Sequence, residues 1–138
     1  MSLNLKRLQE KVDYCGNAGG SGSGYSETLL YENTDRTNAV AAYNLSDSLR
    51  NYDSIVFEFS TNKDVQWNTP HCNIVSMSVI ENLIGGEYIG DSGGDNNVGL
   101  FLIGVSGKHA VLSFPTENTF KISNTNSVWV KRIYGVKY

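Results

Sequence analysis

The chain has 138 residues, 40% hydrophobic, 11% aromatic and 18% charged, with a formal net charge of −3. This length suits one domain with a real core, and so many aromatics with so little net charge exclude disorder of the charged, weakly hydrophobic kind. The charge balance excludes a nucleic-acid footprint, which is basic; two cysteines exclude a disulfide framework or a four-ligand zinc site; and no apolar run approaches the ~20 residues of a bilayer-spanning helix.

Residues 1–15 read as a short helix. Met1, Leu5, Leu8, Val12 and Cys15 follow a two-heptad spacing, with Lys6, Arg7, Glu10, Lys11 and Asp13 between them. A lone helix of this length is marginal in water, so its apolar seam needs a partner: either its own domain or identical chains in a parallel coiled coil. Gly16 to Gly24 (GNAGGSGSG) reads as a flexible linker. Leu3 to Tyr14 interleaves charges with apolar residues, unlike a secretory signal.

From Tyr25 the period becomes two. Asn, Ser and Gly make 44 of the 138 residues and supply turns between short runs of Val, Ile, Phe, Tyr and Leu. Strands are expected over Glu27 to Glu32 and Val40 to Leu45. Ser46-Asp47-Ser48 then caps one helical turn over Leu49, ending at Asn51-Tyr52-Asp53. Ser54 to Ser60 alternates most clearly, with Ile55, Phe57 and Phe59 on one face and Val56, Glu58 and Ser60 on the other. Ile74 to Ile80 alternates as well, and Gly85-Gly86 marks a turn. A short strand around Tyr88 leads into the loop Gly90 to Asn97. Val98 to Val105 is apolar on both faces, as a central strand would be. Gly107-Lys108 marks a hairpin into Ala110 to Phe114, and Thr119 to Ser123 and Val128 to Tyr138 finish the chain. Eight or nine strands with frequent turns predict an all-β sandwich of jelly-roll type over 25–138.

Gly90-Asp91-Ser92-Gly93-Gly94 spells the pentapeptide around the serine of chymotrypsin-like proteases, with Thr69-Pro70-His71-Cys72 upstream. A triad needs a scaffold that orients serine, histidine and a buried carboxylate. Here 21 residues separate His71 from Ser92, too few for the two barrels those enzymes place around the pair. Ordinary turn chemistry accounts for the pentapeptide, and no catalytic residue is assigned. His71, Cys72 and His109 lack zinc-ligand spacing, Asp91, Asp95, Asn96 and Asn97 lack calcium-loop spacing, and no glycine run precedes a helix that could cradle phosphate. Neither a metal nor a cofactor is implied. The loop residues with sugar-binding chemistry are Trp67, His71, Asp91, Asn96 and Asn97, an aromatic face for C–H groups and amides or carboxylates for hydroxyls.

Asn44-Leu45-Ser46-Asp47-Ser48-Leu49, Asn51-Tyr52-Asp53-Ser54-Ile55 and the ending Thr119-Phe120-Lys121-Ile122 with Trp129-Val130-Lys131-Arg132-Ile133-Tyr134-Gly135-Val136-Lys137 resemble segments of bacteriophage and prophage tail proteins. The likeness spans Tyr25 to Tyr138. It implies the β-sandwich head of a tail fibre, spike or baseplate protein, usually trimeric and often carbohydrate-binding, assembled in the bacterial cytoplasm and carried on the virion tail; the function expected is non-enzymatic receptor binding. No site residue comes with it. The expected partners are copies of the same chain and a cell-surface glycan. The alternatives are an assembly module without a ligand and a polysaccharide hydrolase, for which Glu58, Glu81, Glu87, Asp91 and Asp95 offer carboxylates but no recognisable pair.

Overall fold

A computed structural model describes residues 25–64, 67, 70–88 and 98–138. The helix expected over 1–15, the linker 16–24 and the loop carrying Asp91, Asn96 and Asn97 lie outside the described residues. In chain order the elements are β1 (Ser26–Glu32), β2 (Ala42–Asn44), a 3-10 turn (Leu49–Asn51), β3 (Ser54–Ser60), β4 (His71–Ser76), α1 (Met77–Glu81), β5 (Leu100–Ile103), a second 3-10 turn (Val105–Gly107), β6 (His109–Thr116), β7 (Thr119–Asn126) and β8 (Trp129–Lys137). The strands make two four-stranded antiparallel sheets, ordered β1-β8-β3-β4 and β2-β7-β6-β5.

The expected all-β sandwich is the fold. First and last strands nest, β1 with β8 and β2 with β7, as in a jelly roll; the middle of the chain closes through the neighbours β3 with β4 and β5 with β6 and β7. Alternation explains the core. Ile55, Phe57 and Phe59 meet Leu102, Ala110, Leu112, Phe114, Phe120 and Ile122 from the facing sheet, with Leu45, Leu49 and Ile80 completing the cluster. The rings of Phe57 and Phe114 lie 6.1 Å apart between the layers. Burying a side chain of this size contributes roughly 1.5–3 kcal/mol, so this layer supplies most of the drive to fold. The opposite face of β3 is buried too, and Val56 heads a smaller cluster with Val136, Cys72, Ile74 and Tyr134.

The two distinctive stretches of sequence meet in space. Ser48 caps the 3-10 turn by accepting from the Arg50 amide, and Asp47 accepts from the Ser48 amide at 2.8 Å and the Tyr52 hydroxyl at 2.8 Å. Asp47 is thereby held below the usual carboxylate range, chiefly by the Tyr52 hydroxyl. The Tyr52 ring lies on Gly135 of β8, where a Cβ would approach its Cγ to 2.4 Å. Asp53 then accepts from the backbone of Tyr138 at 2.7 Å. A strand end and the chain terminus are locked together at this point.

Three expectations need correction. The strand expected over Ile74 to Ile80 ends at Ser76, and Met77–Glu81 is helix α1. Ser76 is paired with Ser54, the first residue of β3, so an edge strand loses its only neighbour there; the Met77 amide bonds the Asp53 carbonyl instead, and the helical turn delivers Ile80 into the core. Val98 to Val105 is not a central strand: β5 is an edge of its sheet. Leu102 faces the core, whereas Phe101 and Ile103 stay 48% and 64% exposed. Among the described residues next to Tyr88, no strand is formed beyond a single bridge residue at Glu87; the segment crosses the outside of β6 and β7, where the Tyr88 amide donates to Ser113 Oγ and Glu87 pairs with Lys121.

Candidate functional site

β8 reads Trp-Val-Lys-Arg-Ile, and two successive polar residues break strict alternation. The register shows why. Glu58 is opposite Arg132 and Phe59 is opposite Val130, so Lys131 is the extra residue of a β-bulge. A bulge re-aims a side chain that would otherwise follow the pleat. Val130 and Ile133 keep their places in the core, while Lys131 is left only 6% exposed. Its Nζ donates to the Trp67 carbonyl at 2.6 Å and lies 5.8 Å from the Trp67 ring. Burial, and next the Arg132 charge, pull the Lys131 pKa below its ordinary value.

A tight loop after β1 builds the facing wall. Asn33, buried, donates through Nδ2 to the carbonyls of Thr37 and Val130 and accepts at Oδ1 from the Thr37 amide. These bonds close the turn 34–37 and tie it to β8. Within it Arg36 adopts a left-handed backbone, φ 51°, a conformation costing a side-chain-bearing residue roughly 1–2 kcal/mol. Its guanidinium sits 4.8 Å over the Trp67 ring and donates from Nη1 to the Lys63 carbonyl at 2.6 Å. Strain of this kind persists where surrounding contacts over-determine it, and clusters at binding sites.

Behind these residues a charge row crosses the sheet. Arg132 lies opposite both Glu32 on β1 and Glu58 on β3. Its Nε donates to Glu32 at 2.9 Å, which raises the Arg132 pKa. Its Nη1 reaches Glu58 Oε1 only at 3.5 Å. That oxygen is buried and accepts no hydrogen bond. Burial dominates, and the Glu58 carboxyl titrates above the usual range despite the cations beside it.

Together Glu32, Asn33, Thr34, Arg36, Trp67, Lys131 and Arg132 line a cleft of about 230 Å³. Trp67, expected as an exposed stacking surface, is 8% exposed and has Arg36 over its ring, so it serves as a floor. His71 does not line the cleft; it begins β4 and stacks on Phe59 with ring centroids 5.3 Å apart. Asp91, Asn96 and Asn97 lie outside the described residues. Arg36, Lys131, Arg132, Glu32 and Glu58 were not legible as a group in the sequence. The Lys131-Arg132 doublet and a lone Glu58 amid Ile, Val and Phe carried the only signal. Among the described residues no three His, Cys, Asp or Glu side chains are placed to hold a metal ion, and no helix is long and apolar enough to cross a membrane.

The fold and site thus define a small all-β domain with a preorganised, cation-rich polar cleft at the rim of one sheet. No family model matches the chain, and no curated protein matches it at a significant level.

Proposed function

We propose that this domain is a non-enzymatic binding head of the kind found on bacteriophage and prophage tails, with a host-surface saccharide as its ligand. The observation that carries the reading is the convergence on one cleft of a bulged lysine, a left-handed arginine and a tryptophan floor. The lysine and the arginine each depart from the local rule their backbone would otherwise follow, and such departures are expected at functional sites. Polar recognition at a rigid sheet rim suits adhesion. Hydrolysis of a glycosidic bond needs two carboxylates flanking the bond, and among the described lining residues Glu32 is the one carboxylate. Weak single sites gain avidity when several heads are joined, which suits a trimer on a virion tail.

The test is binding of the full-length protein to bacterial cells and to a saccharide array. Saccharide binding that is lost in Lys131→Met supports the reading; retention of all binding in that variant rejects the cleft as the site. A second reading, an assembly module without a ligand, draws on the exposed Phe101, Ile103 and Val105 at and beside the β5 edge, since unpaired apolar edges invite association. Light scattering of Ile103→Lys distinguishes it: loss of self-association with saccharide binding intact assigns that edge to assembly alone.

A further inference from the structure

We propose that the cleft recognises the carboxylate of an acidic sugar, gripped by the Nε–Nη2 edge of Arg36 and by the Lys131 ammonium. The inference rests on the saccharide-binding reading and adds the ligand's charge and the atoms that read it.

Charge points to an anion. The chain carries −3 overall, yet the lining holds Arg36, Lys131 and Arg132 against Glu32. Counting Glu58 behind Arg132 as ionised, three positive and two negative groups leave an excess of one positive charge. Geometry points to a planar acceptor. Among the described residues the one hydrogen bond of the Arg36 guanidinium comes from Nη1, which leaves Nε and Nη2, two parallel donors matched to the two oxygens of a carboxylate. The Trp67 ring beneath and the Lys63 carbonyl at one corner fix the guanidinium plane before any ligand arrives. Arginine held in this way loses little freedom on binding.

Lys131 supplies the second contact. Its ammonium is buried and spends one donor on the Trp67 carbonyl, so two N–H groups remain to be satisfied. A charge held out of water gains more from an opposite charge than an exposed one does. The cleft, at about 230 Å³, is smaller than the roughly 300–1,000 Å³ typical of sites for drug-sized ligands. That size matches one sugar ring and its substituent.

The experiment is an NMR titration of the full-length protein, following the Trp67 indole and Arg36 Nε–H signals. The probes are glucuronic acid, galacturonic acid and N-acetylneuraminic acid, their methyl esters, glucose, galactose and glucose 6-phosphate. The acids are expected to move both signals, with their esters about tenfold weaker, the loss of one charge-assisted pair of bonds. Arg36→Gln should weaken the acids by a similar factor while leaving the remaining spectrum in place. Arg36→Lys, which keeps the charge and loses the fork, should fail to restore them. Equal binding of acids, esters and neutral sugars, unaffected by Arg36→Gln, overturns the proposal but leaves saccharide binding standing. Preference for glucose 6-phosphate over every acid overturns the carboxylate assignment. Failure of all probes to move either signal overturns the proposal, while saccharide binding on the array decides the broader reading separately.

Discussion

Two arginines in this fold hold two carboxylates each, and the contrast between them separates a solvated contact from a buried one. Arg50 meets Glu81 through Nε and Nη2 and Glu117 through Nη1, with ion-pair distances of 2.8 Å. All three side chains are open to water, and every oxygen it faces is satisfied without cost to the core. That cluster clips the first 3-10 turn to α1 and to the β6–β7 turn. Arg132 also has two carboxylates, yet one of them, Glu58, is 3% exposed and stays 3.5 Å away with an unbonded oxygen. Solvent screens the first cluster and makes it worth little; burial makes the second costly and consequential. The surface cluster joins elements at little energetic consequence, whereas the buried one holds a carboxylate that its cation only partly compensates.

The largest expected effect breaks the buried cluster. Arg132→Ala leaves the Glu58 carboxylate without its cation, and stability at pH 7 should fall by about 3 kcal/mol. The loss should shrink toward acid pH as Glu58 takes up a proton, which urea unfolding at pH 5 and pH 7 will show; a pH-independent loss would mean that Glu58 contributes nothing. Next comes Asn33→Ala. It removes three hydrogen bonds that close the turn under Arg36, and should cost about 2 kcal/mol by the same method. It should also free the Trp67 ring from its cation, seen as a change in tryptophan fluorescence absent from Arg50→Ala.

Glu58→Gln sharpens the comparison through its sign. A carboxyl whose folded pKa lies above its unfolded value near 4.5 binds protons more tightly when folded, so its ionisation removes stability as pH rises above about that value. The variant lacks that ionisable group. Its melting temperature should exceed the parent's at pH 7, with the gap narrowing by pH 4.5; a gap that widens toward acid would reverse the assignment. Arg50→Ala should give the smallest change of the four, and one that vanishes in high salt, since its partners are solvated.

Much of the fold was readable because a pleated strand repeats every two residues. Ile55, Phe57 and Phe59 announced their face, Ser46-Asp47-Ser48 announced a capped turn, and Gly107-Lys108 a hairpin. Val98 to Val105 misled because an apolar run records burial or an unpaired edge alike; the neighbour decides, and β5 has one. Met77 to Ile80 misled because alternation persisted past the point where β3 could accept a partner.

What the residues fixed by themselves is local: period, turn chemistry and the sidedness of each strand follow from backbone geometry within a few bonds. What the tertiary arrangement alone decided is the cleft. Glu32, Arg36, Trp67 and Arg132 of the lining come from three separate parts of the chain, and only the register of β1, β8 and β3 lines Glu32 and Arg132 in one row with Glu58 behind them. The bulge that turns Lys131 toward Trp67 exists only against a partner strand, because an extra residue has meaning only where something else is being counted beside it.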